Sequence, residues 1–199
     1  MDIAITEETY SKDNYEPALC TLSDNRTCWT AWTAYGIGGS RAFARPFNGK
    51  TAGPIEPLSP THTLQTRPLC LPTEAGVQFV WLEKTGQQFA FWTRKHDGQA
   101  FTECRKLYTL PNSEKPWESQ ALIDDNGALW ICWAHSVKRD SRIEILRALP
   151  NGKTAKVSLG NHARYNYRPR MVEWGPEGIY VVWDSYRDGA YDIYGCAVD

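Results

Sequence analysis

Four tryptophans recur at a nearly constant interval, and this repeat constrains the fold more than any other feature of the sequence. Trp32, Trp81, Trp133 and Trp183 are 49, 52 and 50 residues apart. Each ends a short apolar segment, and a turn signal with Asp, Asn or Gly precedes that segment. No stretch of the chain shows a sustained helical period. Strand-only repeats of about fifty residues are typical of β-propeller blades.

Each repeat is predicted to form four antiparallel strands. In three repeats the first strand is expected to begin at a proline: Pro17, Pro68 and Pro169. The third repeat has Glu118-Ser119 at that place. Three repeats carry a tight-turn pair between their last two strands: Asn48-Gly49, Asp97-Gly98 and Asn151-Gly152. Such pairs favour two-residue hairpins because both residues can adopt positive φ.

The count of strands predicts how the sheets are completed. The fourth repeat ends after its third strand, whereas residues 2–9 alternate like a strand. We therefore expect an all-β propeller of four blades with four antiparallel strands each, in which the N-terminal strand closes the last blade. The expected single domain spans residues 1–199, and its blades lie at about 15–60, 64–111, 116–160 and 165–199. Three alternatives stay open: two chains forming an eight-bladed ring, a piece of a longer propeller, and a tandem pair of β-sandwiches.

Composition excludes several classes of protein. The 22 Lys and Arg residues against 23 Asp and Glu leave a net charge of −1, which argues against a nucleic-acid partner bound through phosphates. The longest apolar run, residues 128–134, is far shorter than the roughly 20 residues of a membrane span. No signal peptide is recognised, and the six cysteines show no pairing pattern. These features favour a cytoplasmic protein with reduced thiols.

The fourth repeat carries a family resemblance. Residues 183–194 read Trp-Asp-Ser-Tyr-Arg-Asp-Gly-Ala-Tyr-Asp-Ile-Tyr, with a strand ending in an aromatic residue, an Arg-Asp-Gly hairpin and an Asp-Ile-Tyr return strand. This pattern resembles the repeat of TolB-type and sialidase-like β-propellers over residues 168–198. The resemblance implies a propeller whose relatives serve as protein-docking modules, carbohydrate binders or glycosidases. No catalytic residue is carried over, because the matching residues are structural.

Local motifs for catalysis or cofactor binding are not recognised in the sequence. The glycine-rich residues 36–40 join two predicted strands rather than a strand and a helix, so a phosphate loop is not expected. The four histidines lack metal-ligand spacing. Residues 123–130 keep Asp125, Gly127 and Trp130 of the sialidase Asp-box but lack its Ser and Thr. We therefore expect no cofactor, no metal and no catalytic set.

Aromatic and arginine side chains are expected to gather on one loop face of the propeller. The predicted ligand-binding residues are Tyr35, Arg67, Trp117, His135, Tyr167, Arg168, Tyr186 and Arg187. Aromatic rings with arginine suit a glycan or a protein hot spot. The sequence thus favours a non-catalytic binding or protein-interaction module with a protein or glycan ligand. The alternatives are a sialidase-like glycoside hydrolase and a half-propeller that functions by self-assembly as a homodimer.

Overall fold

The computed structural model describes residues 5–6, 13–24, 26–112, 114–137, 140–160, 165–175 and 178–199. These residues form fifteen β-strands arranged in four antiparallel sheets. No helix in the described part of the chain is long and apolar enough to cross a membrane. The chain divides into two compact units, Met1–Leu110 and Pro111–Asp199. Each unit contains two of the sheets.

The first unit contains two four-stranded sheets, each with its strands in chain order. The strands of the first sheet are β1 (Asp13–Thr21), β2 (Cys28–Gly36), β3 (Gly39–Phe47) and β4 (Glu56–Pro57). The strands of the second sheet are β5 (Leu64–Thr73), β6 (Gly76–Thr85), β7 (Gln88–His96) and β8 (Arg105–Thr109). Trp29, Phe79 and Trp81 are central to the core of this unit.

The second unit contains one four-stranded and one three-stranded sheet. The strands of the former are β9 (Pro116–Ile123), β10 (Leu129–Val137), β11 (Asp140–Ala148) and β12 (Thr154–Leu159). The strands of the latter are β13 (Tyr165–Trp174), β14 (Gly178–Arg187) and β15 (Ala190–Val198). Trp130, Ile143, Met171 and Trp183 belong to the core of this unit.

The four repeat tryptophans lie in the core. Each occupies the second strand of its sheet, and none of the four is more than 6% exposed. Burying an aromatic side chain of this size removes a large apolar area from water. A buried tryptophan in the second strand therefore stabilises each of the four sheets. The all-β class and the antiparallel sheets of three or four strands are confirmed. The number of blades, their closure and the single domain stay predictions.

The repeat prolines do not begin their strands, which corrects the expected boundaries. Pro17, Pro68 and Pro169 lie inside β1, β5 and β13, directly at a break in the strand register. The residue before each proline has a positive φ: 56° at Glu16, 54° at Arg67 and 50° at Arg168. This β-bulge lets the strand continue through a residue that cannot donate a ladder hydrogen bond.

The strands continue several residues beyond each repeat tryptophan, so the hairpin turns that follow are short. β14, for example, runs to Arg187 and is followed at once by Asp188 and Gly189 with φ of 50° and 88°. Two consecutive positive φ values are typical of a tight type I′ hairpin. Tyr35, His135 and Tyr186 therefore lie in strands rather than in loops.

The expected N-terminal strand, residues 2–9, lies outside the described residues except for Ile5 and Thr6. The six cysteines are all described, and none forms a disulfide. Cys20, Cys70 and Cys132 are buried. Burial raises the pKa of the Cys132 thiol to about 12, which keeps it protonated and unreactive.

Candidate functional site

The register of the three-stranded sheet places a row of tyrosines and one carboxylate on the same face. Tyr167 in β13 pairs directly with Asp184 in β14, and Tyr165 pairs with Tyr186. Tyr186 in turn pairs with Tyr191 in β15. Directly opposed residues in an antiparallel pair project to the same side, so these side chains share one face of the sheet.

This face contributes to a cavity of about 450 Å³ within the second unit. The cavity is lined by Trp117, Glu118, Tyr167, Arg168, Asp184 and Tyr191. The rings of Trp117 and Tyr167 meet edge to face, with centroids 5.1 Å apart and planes at 80°. Tyr165 stacks on the other side of Tyr167 at 6.2 Å with nearly parallel rings. Packed rings of this kind offer rigid, amphipathic walls to a ligand.

Arg168 holds the two carboxylates of the cavity. Its backbone N–H donates to Glu118 Oε2 at 2.6 Å, and its Nη1 donates to Asp184 Oδ2 at 2.9 Å. The positive φ of Arg168 takes its N–H out of the strand ladder, so Glu118 provides the acceptor that β14 does not. Bulges and sparsely populated backbone conformations are common beside functional sites.

The phenol of Tyr167 is protonated in this setting. Burial raises its pKa, and the neighbouring Tyr191 raises it further. A neutral phenol donates a hydrogen bond and is a poor nucleophile. Beside these phenols the cavity presents two carboxylates, those of Glu118 and Asp184.

The first unit contains an equivalent glutamate–arginine contact, but it has no counterpart of Asp184. The backbone N–H of Arg67 donates to Glu16 Oε2 at 2.8 Å, as that of Arg168 does to Glu118. The cross-strand pair beside it is Thr66 and Leu82, in the place of Tyr167 and Asp184. The glutamate–arginine contact is thus a recurring feature of the fold, and the aromatic and acidic pair is particular to the second unit.

The structure distributes the predicted site residues unequally. Trp117, Tyr167 and Arg168 meet in the cavity, and Tyr186 adjoins it through Tyr191, with ring centroids 4.9 Å apart. Arg187 projects to the opposite face of β14, where its guanidinium lies 3.6 Å from the Tyr194 ring centroid.

The other three predicted site residues lie elsewhere in their own units. Tyr35 and Arg67 belong to the first unit, and Tyr35 is 50% exposed. His135 is only 3% exposed and bonds to Glu144, so it does not lie on an open loop face. His135 was expected on the loop face, but β10 continues past it and its side chain is buried.

Sequence reasoning missed Glu118 and Asp184 as site residues. Glu118 was noted only as the departure from the proline pattern, and Asp184 only as part of a polar hairpin. A signal for the first exists, because Glu16, Arg67, Glu118 and Arg168 alternate at intervals of 51, 51 and 50 residues. Asp184 has no such counterpart and requires the strand register to be found.

Solved structures similar to this chain are β-propeller enzymes. An endo-arabinase from Bacteroides thetaiotaomicron superposes with a TM-score of 0.58 at 12% identity, covering 92% of this chain and 74% of that one. A GH43 endo-arabinanase from Bacillus licheniformis gives 0.55 at 14% identity, covering 92% and 71%. The Trypanosoma rangeli sialidase gives 0.57 at 9% identity, covering 94% of this chain but only 36% of the sialidase. No protein-family model and no curated protein matches the sequence.

These similarities show the fold and correct the expected function. The sialidase-like propeller fold is confirmed, whereas the TolB-type resemblance stays a prediction. The main prediction of a non-catalytic binding module is contradicted, because the similar structures are glycoside hydrolases by name and favour the hydrolase alternative. The prediction rested on the absence of a recognised catalytic motif in the sequence. The two carboxylates of the cavity, Glu118 and Asp184, come from strands of different sheets, so no local motif contains both.

Proposed function

We propose that the chain is a glycoside hydrolase whose catalytic residues are Glu118 and Asp184. The observation that carries the proposal is the pair of carboxylates held by Arg168 in an aromatic-lined cavity. Most glycoside hydrolases use two carboxyl groups that flank the glycosidic bond. The arabinanases and the sialidase among the similar structures support this class of reaction.

The contacts of the two carboxylates suggest different roles. Asp184 forms an ion pair with the Arg168 guanidinium, so we assign it the charged role at the anomeric carbon, as nucleophile or as base for a water molecule. Glu118 accepts a neutral backbone N–H on Oε2, which leaves Oε1 to carry the proton. Glu118 then donates that proton to the glycosidic oxygen as the bond to the leaving sugar breaks.

Substrate recognition follows from the walls of the cavity. Trp117, Tyr167 and Tyr191 provide ring faces and edges that suit the apolar patches of a sugar. The Arg168 side chain is 69% exposed and offers further N–H donors to sugar oxygens. The first substrates to test are arabinan fragments and sialosides, the sugars that the names of the similar enzymes specify.

The decisive experiment compares carboxamide variants in a hydrolysis assay. The purified chain is incubated with aryl arabinofuranosides, linear arabinan and an aryl sialoside, and released product is measured. We expect Glu118→Gln and Asp184→Asn each to lower kcat at least about 100-fold while binding of the sugar persists. Hydrolysis of none of these substrates by the wild-type chain, or full activity in either variant, would reject the proposal.

Glu16 is a matched control for Glu118. Both glutamates accept the backbone N–H of a bulged arginine, but Glu16 lies beside Thr66 and Leu82 rather than beside an acidic residue. Glu16→Gln should therefore reproduce any structural effect of Glu118→Gln on the melting temperature. Only Glu118→Gln should abolish hydrolysis.

We also propose that the fold is a four-bladed propeller in which residues 2–9 supply the fourth strand of the last blade. Arg45 Nη1 donates to the Ile5 carbonyl at 3.1 Å, as Arg94 Nη1 donates to the Pro57 carbonyl at 3.2 Å. Pro57 is in a fourth strand, so the equivalent contact supports a fourth-strand place for Ile5. Deletion of residues 1–9 should lower the melting temperature, and light scattering should give a monomer. A stable dimer would instead favour the eight-bladed ring.

A further inference from the structure

A second group of titratable side chains is buried in the sheet formed by β9–β12, apart from the residues that line the aromatic cavity. Glu114, His135 and Glu144 each present one ligand atom, and these three atoms lie within 4.8 Å of one another. The three residues are 6%, 3% and 3% exposed. Glu114 directly precedes β9, His135 lies in β10 and Glu144 lies in β11. These strands are neighbours in one sheet, so that sheet sets the geometry of the group.

The charges of this group are balanced only in part by a lysine. Lys156 Nζ lies 2.6 Å from Glu114 Oε1 and 3.3 Å from Glu144 Oε2. The two carboxylates carry two negative charges, and the lysine supplies one positive charge. A net charge in a buried site is costly, whereas a divalent cation in the place of the ammonium would neutralise both carboxylates.

Two buried atoms of the group accept or donate no hydrogen bond among the described residues: Glu114 Oε2 and His135 Nδ1. The other ring nitrogen of His135 lies 3.0 Å from Glu144 Oε1, and Ser158 donates to Glu144 Oε2 at 2.6 Å. Buried polar atoms in folded proteins are nearly always satisfied. Unsatisfied atoms beside a carboxylate–imidazole cluster indicate that a further ligand belongs there.

We propose that Glu114, His135 and Glu144 bind a divalent transition-metal ion, and that the Lys156 ammonium takes its place when the ion is absent. One imidazole nitrogen and two carboxylate oxygens form a ligand set that suits Zn²⁺ and leaves a fourth position for water. Lys156 lies on the outer strand β12 and its side chain is 23% exposed, so this long side chain can move to solvent and open a path. This site is independent of the proposed hydrolase activity.

The test is a Zn²⁺ titration of the chelator-treated full chain by calorimetry, with thermal shift as a second readout. We expect one Zn²⁺ per chain and a rise in melting temperature, because an ion that binds only the folded state stabilises it. Lys156→Met should tighten binding about tenfold or more, since it removes a competing charge-assisted contact. His135→Asn and Glu144→Gln should weaken binding by at least the same factor.

Two controls separate this site from incidental metal binding. His62→Asn removes an exposed histidine outside the group and should leave the affinity unchanged. Co²⁺ substitution should give a spectrum without thiolate charge-transfer absorption, because no cysteine is among the proposed ligands. The proposal is overturned if binding is insensitive to His135, or if Lys156→Met does not raise the affinity. The lysine variant decides the question even where His135→Asn fails to fold.

Discussion

Replacing Arg168 by glycine should abolish most of the activity while leaving the fold intact. The Arg168 backbone has φ of 50°, and a left-handed conformation costs a residue with Cβ about 1 kcal/mol or more, which glycine does not incur. Against this gain stand the loss of an exposed ion pair, about 0.5 kcal/mol, and the larger unfolded-state entropy of glycine, about 0.5–1 kcal/mol. The net change in the free energy of unfolding is within about 1 kcal/mol of zero, so the melting temperature should move by less than about 4 °C.

Activity responds differently because the Arg168 guanidinium positions Asp184, whereas the backbone N–H that holds Glu118 is kept in the glycine variant. Without the guanidinium, Asp184 loses its only ion-pair partner among the described residues, and the geometry at the reacting bond is relaxed. A misplacement of about 1 Å can cost about 100-fold, so kcat/KM should fall by that order. The assay is hydrolysis of the best reporter glycoside, with melting followed by circular dichroism.

Arg67→Gly is the matched control for this prediction. Arg67 has φ of 54°, precedes a proline, and donates its N–H to a glutamate in the same way. Its glycine variant should show the same small change in melting temperature and keep full activity. Equal loss of activity in both variants, or none in Arg168→Gly, would refute the assigned role of Arg168.

Three further predictions concern stability, binding and pH. Asp124→Ala removes a buried carboxylate that accepts two backbone N–H groups and an indole N–H, and should lower the free energy of unfolding by about 3 kcal/mol. Asp24→Ala, in the exposed equivalent turn, should cost clearly less in the same melting experiment. Trp117→Ala removes one wall of the cavity and should raise KM about tenfold, whereas Trp174→Ala, an exposed tryptophan outside it, should not change KM. Burial lowers the pKa of His96, whose Nδ1 accepts a backbone N–H, so the stability that its neutral form provides is present above the ordinary histidine pKa and declines as pH falls below it. Melting temperature measured from pH 7.5 to 5 should therefore fall more in the wild type than in His96→Gln.

The sheets could be predicted because their signals are local. A tryptophan in each second strand and Asn-Gly or Asp-Gly turns mark the hairpins without knowledge of distant contacts. The strand starts could not be predicted, because a proline preceded by glutamate or arginine gives no sign of a positive φ. The structure shows that Glu16, Arg67 and Arg168 adopt it, and that the prolines follow bulges within continuous strands.

The site could be predicted only in part, for a related reason. Trp117 and Tyr167 occupy equivalent places in consecutive repeats and Arg168 follows Tyr167, so sequence alone predicts all three on one loop face. Asp184 joins them through its pairing with Tyr167, which depends on a one-residue bulge in β13. A shift of one residue would direct Asp184 to the other face of the sheet. The register of β13 against β14, to within one residue, is set by the folded backbone and not by any sequence motif.

The most direct test of the proposed hydrolase site is the hydrolysis rate of the Glu118→Gln and Asp184→Asn double variant against both single variants. Residues that act on one bond as a unit are not additive, so the account predicts that the double variant is about as inactive as either single variant. The melting temperatures should show that all three remain folded. Losses that multiply, or a double variant that keeps wild-type activity, would contradict the claim that these two carboxylates perform the reaction together.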